Sequence, residues 1–198
     1  MELFNYAKNG VDAALIEFAE KLRDDKFTIQ ELDELKSMSD DNPTPETAYF
    51  YGMLYLYGRV VPYNLMDAEI HLLMVINADA SRHQLTTKGA AAYALHKLHR
   101  MKVSPDAALA DEFLTMSSNC GYPPAQNEMA LWLLARGREV NFVAAQGLFT
   151  TAANNGNAPA MVNLANLIRQ TDPPGYLRWI STAAYKGNPI AKQALERA

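Results

Sequence analysis

The chain has one cysteine, Cys120, among 198 residues. No disulfide can close within it, so a fold stapled that way is excluded. Cys120 stands just before Gly121, where a small buried or half-buried side chain is expected. No apolar run approaches the ~20 residues needed to span a bilayer. The start, Met1 to Lys8, is not a basic leader followed by an apolar stretch. A cytoplasmic protein without membrane contact is the expectation. An excess of either charge is also missing: 18 basic against 22 acidic side chains give a net charge of −4, with no sign of the basic patch or stripe that marks nucleic-acid binding. The acid is unevenly placed. Residues 1–46 hold 12 acidic and 5 basic side chains, a net of −7; the rest hold 10 and 13, a net of +3. Two readings stand, a solvated first helix pair or an acidic end that steers a partner.

Motifs of bond chemistry are absent as well. There is no His-Glu-x-x-His, no glycine-rich phosphate loop and no nucleophile elbow. His96 and His99 are the closest histidine pair and share a helical face at a spacing of three. Lys97 and Arg100 beside them oppose a cation. His71 stands alone, and His83 falls in a polar loop. Glu17 with Glu20, and Asp111 with Glu112, read as solvated helix faces. No catalytic residue, metal ligand or cofactor site is therefore expected, and the chain does not read as an enzyme.

What the chain does have is a phrase repeated. Ala152-Ala153-Asn154-Asn155-Gly156-Asn157-Ala158-Pro159-Ala160 returns as Ala183-Ala184-Tyr185-Lys186-Gly187-Asn188-Pro189-Ile190-Ala191, and a softer copy runs from Ser117 to Ala125. The glycines Gly121, Gly156 and Gly187 are 35 and 31 residues apart. A period of that size predicts a helical solenoid, in which each unit buries its apolar face against its neighbours. Each unit reads as helix A, a short turn, helix B and a glycine turn. Helix A carries a small residue, a large apolar one four further on, and another small one at once: Ala14, Phe18, Ala19; Thr47, Tyr51, Gly52; Gly89, Tyr93, Ala94; Ala125, Met129, Ala130; Ala160, Leu164, Ala165. The small residues let a neighbouring helix approach, and the large one fills the space beside it. Asn64, Asp106 and Asn141 are placed to cap the B helices, with Ala68, Ala110 and Ala145 at matching inner positions. Gly10, Gly121, Gly156 and Gly187 are placed to close helices in the left-handed conformation.

Turns fall near 10, 43, 85, 121, 156 and 187, at intervals of 33, 42, 36, 35 and 31. The long interval places a polar insertion over Asn77 to Thr87. The short one removes residues around Thr171 to Gly175. A lone helix over Met1–Asn9 and another over Pro189–Arg197 read as caps. The expected fold is all-α: a right-handed alpha/alpha solenoid of about twelve helices in a single domain over 1–198. Within it, 1–44 are divergent units and cap, 45–187 are clearer repeats and 188–198 are a capping helix.

The stretch Tyr51-Gly52-Met53-Leu54-Tyr55-Leu56-Tyr57-Gly58-Arg59-Val60-Val61, followed by Asp67-Ala68, and the closing Ala-Ala-x-x-Gly at Gly156 and Gly187 resemble Sel1-like repeats, relatives of tetratricopeptide repeats. Residues 45–198 carry the resemblance well. The family's Leu-Gly pair becomes Tyr93-Ala94, Met129-Ala130 and Leu164-Ala165 here. The resemblance implies protein–protein contact and brings no common catalytic set. It implies an adaptor or regulator binding a protein or extended peptide on a concave face. Alternatives are an immunity protein neutralising a toxic effector and a module acting on cell-wall fragments. No nucleic acid is expected as a partner, and a monomer or weak dimer is.

The candidate contact residues lie on the A helices. Tyr49, Met53 and Tyr57 share the side of their helix away from Tyr51 and Tyr55; they either line the wall or cover the neighbouring helix. His96 belongs to the next A helix. The fourth unit contributes Glu128, Leu131, Trp132 and Arg136, and the fifth Asn163, Asn166 and Arg169. Asparagine within a helix sacrifices propensity, so Asn163 and Asn166 on one face suit recognition of an extended peptide backbone, or else are tolerated surface residues.

Overall fold

The computed structural model describes residues 44–58, 61–78 and 85–197, together with residues 21, 28, 30 and 31. Nine helices lie among the described residues: α1 (Pro45–Tyr57), α2 (Leu65–Asn77), α3 (Leu85–Met101), α4 (Ala107–Asn119), α5 (Pro123–Arg136), α6 (Arg138–Asn154), α7 (Ala158–Ile168), α8 (Pro173–Tyr185) and α9 (Pro189–Glu196). They are the expected A and B helices in alternation, and the paired-helix architecture is observed. Of the twelve helices expected, the lone first helix, the helix of Ala14, Phe18 and Ala19, the turn at Gly10 and most of the helix over 28–38 lie outside the described residues. The start of the last is visible: the Thr28 backbone N–H donates to Glu31 Oε2 at 2.9 Å, and the Glu31 N–H donates to Thr28 Oγ1 at 3.2 Å. This reciprocal arrangement opens a helix.

Contacts divide the chain into two compact units, residues 1–120 and 121–198. In the first, α1 packs on α2 and α3, α2 on α3, and α3 on α4. In the second, α5 packs on α6 and α7, α6 on α7, α7 on α8, and α8 on α9. The small residues make these approaches possible. Ala68, Ala110, Ala125, Ala130, Ala145, Ala160 and Ala165 are all buried. Gly52 shows the tightest case: a Cβ there would come within 2.7 Å of Leu72 Cγ on α2 and 3.3 Å of the Ala68 carbonyl oxygen. The core of the second unit gathers Phe149, Met161, Leu164, Ile168 and Ile180 around these alanines.

Caps follow the sequence with one exception. Asn64 Oδ1 accepts from the Met66 and Asp67 N–H groups at 3.0 and 3.3 Å, and Asp106 Oδ1 from the Leu109 N–H at 3.0 Å. Asn157, Asp172 and Asn188 do the same for α7, α8 and α9. Asn141 does not cap α6, as the sequence reading has it. The helix begins earlier, at Arg138, because Gly137 adopts φ 155° and turns the chain immediately after α5. Asn141 lies inside α6, and its amide donates to the Leu133 carbonyl at 3.0 Å.

Gly121, Gly156 and Gly187 take φ 82°, 87° and 87°, the left-handed corners expected of them. The polar insertion is shorter than expected. Asn77 is the last residue of α2, and Leu85, Thr86 and Thr87 already belong to α3, whose seventeen residues extend the helix backward; residues 79–84 lie outside the described part. No described helix is long and apolar enough to cross a membrane.

Candidate functional site

In the second unit, α5 and α7 lie side by side and are tied by their polar side chains. The Asn163 Nδ2 amide donates to Asn127 Oδ1 at 2.8 Å. Pro123 and Pro124 open α5, where their missing N–H groups are unneeded. Asn157 caps α7. The small-large-small sets Ala125, Met129, Ala130 and Ala160, Leu164, Ala165 are buried. Other positions of the two helices reach solvent. Leu131 is 45% exposed; Arg136, Asn166 and Arg169 are exposed, and Glu128, Trp132 and Asn163 are half-buried.

Two arginines of this unit rest on aromatic rings. The Arg136 guanidinium carbon lies 3.6 Å from the centre of the Trp132 ring, four residues back on α5. That of Arg169, at the end of α7, lies 5.1 Å from the centre of the Tyr176 ring on α8. Stacking of this kind limits the rotamers open to a long side chain. The Asn127–Asn163 bond uses one amide hydrogen of Asn163 and one lone pair of Asn127. The Asn127 amide hydrogens and the Asn163 carbonyl oxygen have no further partner among the described residues. A donor and an acceptor thus stand together, the complement of a single peptide group. Amides and guanidiniums hold ligands, and neither exchanges protons near neutral pH.

The first unit places its candidates differently. Tyr49 is 2% exposed, Met53 6% and His96 fully buried. These three are core residues and offer no surface, which corrects their expected place on an open wall. The cause is legible in α1. Ala48, Tyr49, Phe50, Met53, Leu54 and Leu56 point in all directions around the axis, and a helix apolar all round is an interior helix. His96 has a structural task. Its Nδ1 lies 2.8 Å from the Ala110 carbonyl oxygen on α4, so Nδ1 carries the hydrogen and donates it. Tyr57, 48% exposed at the end of α1, does reach solvent.

Several polar groups escaped the sequence reading. Asn127 is one; the signal available was the same low helix propensity that singled out Asn163. Another is Glu69 on α2, which bridges to Lys102 Nζ at 2.8 Å and to the buried His99 Nε2 at 3.0 Å. The His99 ring stacks on Phe113 at 5.5 Å. Burial holds the His99 pKa below its ordinary value, the Lys102 charge adds to this, and Glu69 and Asp106 oppose it. His71 stacks on both Tyr51 and Tyr55, at 5.5 and 5.6 Å; burial lowers its pKa too, against the opposing pull of Asp67. Burial pushes the Cys120 thiol up, with Lys88 opposing, so its thiolate is disfavoured at neutral pH. Among the described residues no group of three His, Cys, Asp or Glu side chains is placed to hold a metal ion.

No protein-family model matches the chain, and no curated protein matches it at a significant level. A solved structure does: the crystal structure of a Sel1 repeat protein from Oxalobacter formigenes is similar with a TM-score of 0.67 and 20% sequence identity, over 98% of this chain and 58% of that one. The chain thus spans somewhat over half the length of that protein. At this identity the likeness is one of backbone architecture. The paired helices, the left-handed glycine corners and this likeness together show that the fold of the chain matches a Sel1/tetratricopeptide-like alpha-solenoid repeat protein.

Proposed function

We propose that the chain is a binding scaffold for another protein or peptide, and that the side of α5 and α7 carrying Asn127, Leu131, Asn163 and Asn166 is its contact surface. The observation that carries this is the Asn127–Asn163 pair. It presents an unused donor and an unused acceptor beside an exposed Leu131. A wall built from packed helices loses little conformational entropy on binding, and amide groups beside an exposed leucine suit the mixed polar and apolar character of a protein surface. An adaptor or regulator acting in the cytoplasm, within a single repeat domain over 1–198, is the finer form of this proposal.

Affinity capture with the wild type beside an L131E/N166R variant tests it. Both positions are exposed, so the variant is expected to fold with an unchanged melting curve and to lose partners that the wild type retains. Partners kept equally by both forms would remove this surface from the account.

A further inference from the structure

We infer that the ligand of the α5/α7 side is an extended peptide segment recognised through its main chain, an inference that rests on the binding reading above. The open line of α7 is the starting point. Within Ala158–Ile168 the residues that are not buried are Ala158, Pro159, Asn163 and Asn166, and the helix has no charged side chain. Asn163 and Asn166, three apart, share one side of α7. On α5, Asn127 and Leu131 stand four apart and share a side as well. The Asn127–Asn163 bond of 2.8 Å brings these two sides together. About one turn on from the pair stand Leu131 on α5, 45% exposed, and Asn166 on α7, also exposed.

The chemistry on offer is that of neutral amides. Asn127 keeps its amide hydrogens, Asn163 keeps its carbonyl oxygen, and Asn166 has no partner among the described residues. Reversing both amides of the pair exchanges their roles and still leaves one donor and one acceptor unused. A main chain is the neutral ligand that carries a donor and an acceptor at every residue except proline. In a helix these groups are consumed internally. In an extended segment they are free to accept from Asn127 and to donate to Asn163. Asn166 lies about 4.5 Å along the helix axis from Asn163, and successive residues of an extended chain are about 3.3 Å apart. Its amide is therefore within reach of the neighbouring peptide group. Leu131 supplies an apolar contact beside these amides. The ligand thus needs an apolar side chain there and tolerates change elsewhere.

Three fluorescein-labelled ten-residue peptides test the inference, titrated into the full chain by fluorescence anisotropy. The parent alternates Leu and Ser; the second is N-methylated at its Leu residues and the third at its Ser residues. Successive N–H groups of an extended chain point to opposite sides. One methylated peptide is therefore expected to bind about tenfold more weakly than the parent, and the other as the parent does. In N127A/N163A that difference is expected to vanish, with the parent itself weakened about tenfold. N166A, at an exposed position, is expected to weaken the parent a few-fold and keeps the test open should the double variant not fold. Parent binding is expected to be the same at low and high salt, since no charged pair forms. Both methylated peptides binding as the parent does, or a difference undiminished in N127A/N163A with N166A binding as the wild type does, would overturn main-chain recognition. If no peptide binds while affinity capture still retains a partner that L131E/N166R loses, the inference falls and the binding reading stands. If no peptide binds and capture is equal in both forms, both fall.

Discussion

Asn163 on α7 donates a hydrogen bond to Asn127 on α5 across 2.8 Å, linking two helices thirty-six residues apart in sequence. The bond is part-buried and joins two neutral groups, so its net worth to folding is about 1 kcal/mol. The account therefore predicts that N127A/N163A lowers stability by no more than about 1–2 kcal/mol in urea titration while weakening partner binding strongly. Loss of folding together with binding would make the pair a structural clamp and nothing more.

Gly52 faces Leu72 so closely that a methyl group cannot enter without movement, since the ideal Cβ lies 2.7 Å from Leu72 Cγ and 2.9 Å from Cδ2. Leu72 is itself fully buried and has little room to withdraw. Gly52→Ala is predicted to cost about 1–3 kcal/mol through overpacking, despite the higher helix propensity of alanine. A urea midpoint at or above that of the wild type would show that α1 and α2 can separate freely.

Gly58 closes α1 at φ 61°, and its N–H donates to the Leu54 carbonyl at 2.9 Å. A Cβ at this position would also lie 2.7 Å from Tyr63 Cβ. Gly58→Ala thus meets two obstacles, a left-handed backbone worth about 1–2 kcal/mol and a steric contact. It is predicted to destabilise more than Gly121→Ala, whose Cβ would meet nothing within 4 Å. Thermal melts of the two variants side by side decide the order.

His99 and His71 both have pKa values held below the ordinary 6.5, chiefly by burial. Below that pH the unfolded chain binds protons that the folded chain resists, so acid favours unfolding. Stability is predicted to be at its full value above pH 6.5, to fall as the pH drops below it, and to level off once the folded-state imidazoles are themselves charged. In H99L part of this slope should vanish between pH 7 and pH 5, even if the variant is less stable overall. A slope identical to the wild type would place the titration elsewhere.

The sequence foretold the α/α pairing because it depends on local and periodic features. Gly121, Gly156 and Gly187 recur at left-handed corners, Asn64 and Asp106 cap where capping chemistry requires, and the alanines at matching positions are buried. The candidate site was legible only where a helix has one open side. On α5 and α7, Leu131, Arg136, Asn166 and Arg169 are exposed as expected. On α1 and α3 the same logic failed, because Tyr49, Met53 and His96 are covered from all directions. Period alone gives the angle of a side chain about its own axis and does not say how many neighbours surround the helix. The Asn127–Asn163 contact was out of reach for a similar reason, since it depends on the relative shift of two helices. Asn141 misled because a good capping residue stood near the turn, while Gly137 made the turn first.

Amide hydrogen exchange on the chain, alone and saturated with a captured partner, tests the central claim most directly. The account predicts added protection concentrated in residues 127–136 and 163–169, with little change on the exposed side of α6 around Val140 and Val143. Protection confined to α6, or to the outward Met66, Ile70 and Met74 of α2, with none on α5 and α7, would contradict it.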